Sequence, residues 1–190
     1  MGRKVLDVIF RPHRTLRQAA SAGTLGPAVL GMMILALTWS GFCLWLYRDG
    51  HQPSFAGWSI SARDYYLWQA FFLPPLFLVL WALYAVFADR LARWSGAESA
   101  LRRAASVLGL TYGPPVLCAY VLPDLLAYAI WGFESLARVA RIAAPVAMLW
   151  VVSLSAYGLA QVYRLSMRRS VAVALLAFLG QAVFAAMLIR

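Results

Sequence analysis

Few side chains in this 190-residue chain could do chemistry, and most of those are arginines. Arg90, Arg93, Arg102 and Arg103 sit between two apolar stretches, and Arg164, Arg168 and Arg169 between two others. Guanidinium groups gathered at a membrane surface attract anionic headgroups at about 1 kcal/mol each. The same residues also fix the orientation of membrane spans, and both readings stand. The carboxylates Asp49, Asp64, Asp124 and Glu134 could converge on a cation or a headgroup. Arg48, Arg63, Arg138 and Arg141 lie near them in sequence, so they read as solvated, paired loop charges. His13 and His51 fall on opposite sides of the first apolar run, too far apart to share a reaction. Cys43 and Cys118 lie inside apolar runs and read as small buried thiols. With no CxxC there is no zinc or redox signature. No HExxH, nucleophile elbow or phosphate loop is present. The expectation is a protein that is not an enzyme and takes no cofactor or metal.

The elements that carry these residues are dictated by composition. The chain is 63% hydrophobic and 13% charged. A soluble domain of this length cannot hide so much apolar surface, so lipid must be the solvent. The net charge of +10 is explained by lysine and arginine collecting on one side of the spans, and nucleic acid is not an expected partner.

A span needs about 20 apolar residues, and the sequence offers five: 24–47, 65–88, 104–123, 142–163 and 170–189. The predicted fold is an all-α, polytopic membrane bundle over 24–190. Residues 1–23 are basic and amphipathic, interrupted at Pro12, and read as a helix in the headgroup plane. The apolar run behind them is too long for a signal peptide, so they are expected to stay attached. In the connector after the first span, Phe55, Trp58 and Ile60 are expected to rest on lipid. Asp124 is expected at the outer interface, 125–133 as a short interfacial or re-entrant piece, and Pro145 in the first turn of its span, where proline is tolerated.

Counting basic residues gives the topology. With the N-terminus inside, the inner segments hold Arg3, Lys4, Arg11, Arg14, Arg17 and the seven arginines named first, 12 of the 17. The outer segments hold Arg48, Arg63, Arg138, Arg141 and Arg190. The split favours an N-terminus inside and a C-terminus outside.

Three further features could bear on function. Ala105, Gly109 and Gly113 place small residues on one helix face, which suits close packing within the bundle or against a partner chain. The pairs Pro74-Pro75 and Pro114-Pro115 kink spans two and three. With Tyr112, Gln69 and Gln181 they could border a pocket, or they could simply let the helices close on one another. No span carries an ionisable residue at its centre, which speaks against a proton-driven transporter.

The order of these pieces resembles the Yip1/Yif1 (Yip1-domain) family of integral membrane proteins. The resemblance is carried by IFRPHRTLRQAA before span one, by ADRLARWSGAESALRRAASVLGLTYGPPVL from span two into span three, and by VSLSAYGLAQVYRLSMRRSVAVALL from span four into span five. It covers most of the chain. Eukaryotic members act in vesicle traffic between endoplasmic reticulum and Golgi, and are associated with Rab GTPases and membrane shaping. They have a long cytosolic N-terminal region with an Asp-Leu-Tyr-Gly-Pro-like motif. Here about twenty residues precede the first span, and Thr111-Tyr112-Gly113-Pro114 echoes the motif only inside a span. Rab GTPase binding is therefore not carried over. The chain is more similar to short bacterial members, which implies the bacterial inner (cytoplasmic) membrane. The expected role is a membrane organiser, adaptor or accessory subunit whose partners are lipids, anionic ones included, and other membrane proteins or a second copy. The alternative is a lipid or small apolar-substrate transport component using the kinked spans two and three.

Overall fold

The computed structural model describes residues 2–53 and 61–189, with the side chains of 3, 4 and 186–189 outside that description. Phe55, Trp58 and Ile60 fall outside it as well. The described residues form helices joined by short connectors: α1 (Gly2–Phe10), α2 (Pro12–Ala22), α3 (Gly26–Arg48), α4 (Tyr65–Trp94), α5 (Leu101–Val116), α6 (Leu122–Trp131), α7 (Leu136–Tyr163) and α8 (Met167–Ile189). A π-helical turn, Leu117–Val121, fuses α5 to α6, and a 3-10 turn, Phe133–Ser135, leads into α7. Five helical stretches are long and apolar enough to cross a membrane: 26–48, 65–94, 101–131, 133–163 and 167–185. The fold is a polytopic five-span bundle.

Three boundaries differ from the sequence reading, each for a physical reason. Span two does not end at its first charge. Ala88–Trp94 holds no breaker, and its Leu, Ala and Arg are good helix formers, so α4 continues to Trp94. Span three does not stop at Pro123-Asp124. Pro123 falls in the first turn of α6, where a missing N–H costs little, and the π turn just before it lets the helix pass three prolines without breaking, the Leu122 N–H reaching the Leu117 carbonyl. Residues 125–131 thus continue the span-three helix rather than forming a separate piece, and Asp124 is buried in the protein rather than solvated. Finally, α7 starts at Leu136, so Pro145 lies in the helix interior and not in the first turn.

Helix α5 is the centre of the bundle. It packs on α3, α4 and α7, while α8 closes the ring between α4 and α7. Glycines set the closest crossings. A Cβ on Gly113 would lie 2.7 Å from the Gly31 carbonyl carbon and oxygen on α3. On α7, a Cβ at Gly158 would lie 2.2 Å from Val107 Cγ1 of α5. Close backbone approach of this kind supplies the dispersion contacts that hold membrane helices together, since lipid gives no hydrophobic drive between them. Helices α1 and α2 lie across one end of the bundle. Their Val8 and Leu16 are completely buried, α2 packs on α5 and α7, and Arg17 Nε donates to the Tyr157 hydroxyl of α7 at 3.0 Å.

Candidate functional site: an arginine-rich end organised by Asp89

The end of the bundle that carries α1 and α2 gathers the C-terminal end of α4, the start of α5, the C-terminal end of α7 and the start of α8. Arg90, Arg93, Arg102, Arg103, Arg164, Arg168 and Arg169 are all exposed there, as are Arg11, Arg14 and Arg17. Asp7, Asp89 and Glu98 are the carboxylates of the same end. The structure therefore brings the collar arginines together. It also brings Trp94 and Phe10 among them, 84% and 78% exposed, large apolar groups where an aqueous surface would disfavour them.

Asp89 ties this end into one unit. It is 5% exposed, on the face of α4 that turns toward α5 and α7. Its Oδ1 accepts the Ala100 N–H at 2.9 Å and the Tyr163 hydroxyl at 2.7 Å. The Ser99 hydroxyl donates to its Oδ2 at 3.0 Å, and Arg93 Nε stands 3.4 Å from the same oxygen. Ala100 is the residue before α5, so the carboxylate answers an unpaired donor and the positive partial charge of that helix start. One buried anion thus joins the ends of α4, α5 and α7. Asp89 was not among the carboxylates singled out from the sequence. The one available signal was Arg93 four residues on, an i,i+4 partner on the same helix face.

The small-residue stripe faces inward. A Cβ on Gly109 would lie 2.6 Å from Ala28 Cβ and 3.0 Å from Trp81 Nε1. That indole donates to the Ala105 carbonyl at 2.9 Å, so the missing side chain at 109 makes room for it. Ala105 is half-buried, while Gly109 and Gly113 are enclosed. Their partners here are α3 and α4 of the same chain.

The proline pairs and their neighbours are spread over several environments. Pro114 and Pro115 are buried, Pro74 and Gln69 half-buried, and Pro75 exposed. Tyr112 accepts a hydrogen bond from Gln181 Nε2 at 3.1 Å, which joins α5 to α8. The Tyr112 ring packs edge-on or tilted against Phe77, Tyr84 and Phe178, with centroids 6.3–6.5 Å apart. Nearby, Thr111 and Ser155 share a hydrogen bond of 2.8 Å between α5 and α7. The level of the prolines is occupied by packed aromatic rings and hydroxyl pairs.

At the opposite end no carboxylate pairs with an arginine among the described residues, unlike the paired loop charges expected from the sequence. Asp49 accepts the Tyr128 hydroxyl, and Asp64 accepts Ser61 Oγ at 3.0 Å. Asp124 Oδ1 is buried without a partner among the described residues. His51 stacks on Phe133 with centroids 4.4 Å apart and meets Tyr128 edge-on, which docks the loop after α3 onto the α6–α7 corner. Among the described residues no three His, Cys, Asp or Glu side chains converge on one point.

No curated protein and no solved structure is significantly similar to the chain. The Yip1 domain, in contrast, matches it over residues 6–189. That match takes in α1 from Leu6 onward, all of α2, the Asp89-centred end and all five spans, and by it the chain belongs to the Yip1-domain family of integral membrane proteins.

Proposed function

We propose that this protein is a non-enzymatic membrane organiser or adaptor, which holds anionic headgroups of one leaflet, and the membrane proteins that gather there, at its arginine-rich end. The observation that carries the reading is the collar itself. Ten exposed arginines surround one end of the bundle and face three carboxylates, of which Asp89 is buried and already committed. At about 1 kcal/mol per guanidinium near an anionic surface, even a few engaged residues give strong retention of anionic lipid. Trp94 and Phe10 support the same orientation, since exposed aromatic groups beside basic ones are what a headgroup layer accommodates. By the positive-inside bias this end faces the cytoplasm, and in a bacterial cell the membrane is the inner one.

The test is purification of the full chain from native membranes in a mild detergent, with retained lipids and proteins identified by mass spectrometry. The expected result is enrichment of anionic phospholipid with a stoichiometric membrane-protein partner, both diminished by combined Arg90→Gln, Arg102→Gln and Arg168→Gln. Equal lipid and protein recovery from that variant refutes the role of the collar. The transport alternative needs a path beside Tyr112, whose ring packs against Phe77, Tyr84 and Phe178. Bulky substitution of Gln69 or Tyr112 is accordingly expected to leave lipid movement between vesicle leaflets unchanged.

A further inference from the structure

The corner between α6 and α7, at the end away from the arginine collar, contains a groove of about 360 Å³ lined by Trp131, Ser135, Arg138, Val139 and Ile142. Ligand sites range upward from about 300 Å³. The walls are apolar. Ser135 Oγ is already engaged with the Ala127 and Gly132 carbonyls, and Trp131 and Ile142 are 67% and 72% exposed. Arg138 supplies the polar edge, and its position is electrostatically anomalous. It stands in the first turn of α7, where the helix dipole is positive and a cation is disfavoured, just after the 3-10 turn that carries Glu134. Arg141 follows one turn later and is also exposed. Glu134, the carboxylate nearest in sequence, makes no ion pair with Arg138 among the described residues.

A guanidinium on a positive helix end, without a carboxylate partner and beside an apolar groove, is complementary to an anion that carries an apolar tail. We propose that the groove binds one glycerophospholipid, its phosphate on Arg138 and an acyl chain against Trp131, Val139 and Ile142. Guanidinium meets phosphate through parallel, charge-assisted hydrogen bonds, and the α7 helix start adds its own attraction for the anion. The indole of Trp131 marks the level where headgroups meet hydrocarbon, which is where such a lipid has its phosphate. This site is separate from the collar, so either can fail without the other.

The experiment is native mass spectrometry of the full chain, stripped of lipid by detergent exchange and titrated with palmitoyl-oleoyl phosphatidylglycerol or with the matching diacylglycerol. One phosphatidylglycerol adduct should form ahead of the rest, and diacylglycerol should give none of comparable strength. Arg138→Gln should weaken that adduct about tenfold or more, the loss expected for a charged hydrogen-bonded contact. Trp131→Ala should weaken it as well, and Arg63→Gln, at the same end but outside the groove, should not. All three residues are exposed, and gel filtration checks that each variant remains folded. An unchanged adduct in Arg138→Gln, equal binding of diacylglycerol, equal loss in Arg63→Gln, or displacement by millimolar inorganic phosphate would each overturn the proposal.

Discussion

The crossing of α5 and α7 offers a quantitative test of how this bundle is held. Gly158→Ala places a methyl 2.2 Å from Val107 Cγ1, where carbon atoms prefer about 3.5–4.0 Å. Relieving an overlap this deep in a packed interior costs about 2–3 kcal/mol, the upper part of the usual range. The better helix propensity of alanine offsets up to about 1 kcal/mol of it, leaving a net loss of about 1–2 kcal/mol. Val107→Ala alone removes two completely buried methyl groups and leaves a void, at about 2 kcal/mol. The two changes together are compatible, because Val107 Cβ lies 3.6 Å from the added methyl, an ordinary contact. The double variant should therefore be more stable than either single variant, with a favourable coupling of about 1 kcal/mol or more. Unfolding in mixed micelles titrated with dodecyl sulfate, followed by tryptophan fluorescence, gives the three free-energy changes. Additive losses, or a Gly158→Ala variant as stable as the parent, would refute the claim that α5 is seated by this contact.

Gly113→Ala should behave differently: its methyl meets the Gly31 backbone at 2.7 Å, so no truncation relieves it, and folded monomer on gel filtration should fall with no rescuing partner change. Asp89→Asn should cost on the order of 2 kcal/mol or more, since Ala100 N–H and the Tyr163 and Ser99 hydroxyls all donate to the carboxylate and an amide cannot accept at both positions. Tyr163→Phe removes one of those bonds and should cost about 1.5 kcal/mol in the same unfolding assay. For orientation, Glu98→Cys in a Cys43→Ala, Cys118→Ala background should react with a membrane-impermeant maleimide only in inverted vesicles. Labelling of intact cells would mean that the arginine-rich end faces outward.

How much was legible in the sequence follows from which physical rule governed each feature. Uncharged runs of about 20 residues have few alternatives in a chain this apolar, so all five spans could be read. The ends were harder, because charge marks where lipid stops and not where a helix stops: α4 crosses Asp89 and Arg90 unbroken. The burial of Asp124 was missed for a related reason: a charge suggests solvent, but α6 continues past it and it is buried in the fold. At the candidate site the arginines were legible because they are few and clustered. Asp89 was not, since its donors come from residues 10, 11 and 74 positions away, and sequence spacing holds no record of that meeting. Gly109 and Gly113 stood out by their interval of four, whereas Gly31 and Gly158, which complete the crossings around α5, have no small neighbour at that interval on the side that matters.

The central place of α5 has a consequence for how the protein is made. Spans leave the ribosome in order, so α5 reaches the membrane after α3 and α4 but before α7. Its Gly113 face and the carbonyl of Ala105 can be met at once by Gly31 and Trp81. Its Thr111 hydroxyl and the Val107 face must wait for Ser155 and Gly158, more than forty residues later in synthesis. During that interval the span with the largest buried share of the five, Leu101–Trp131, has one side still turned to lipid. Asp89 bridges the gap: through Ser99 and Ala100 it fastens α4 to the start of α5 before Tyr163 exists to complete the set. The same carboxylate that unites the finished end thus has, in Ser99 and Ala100, two of its partners already made before the second half of the chain arrives.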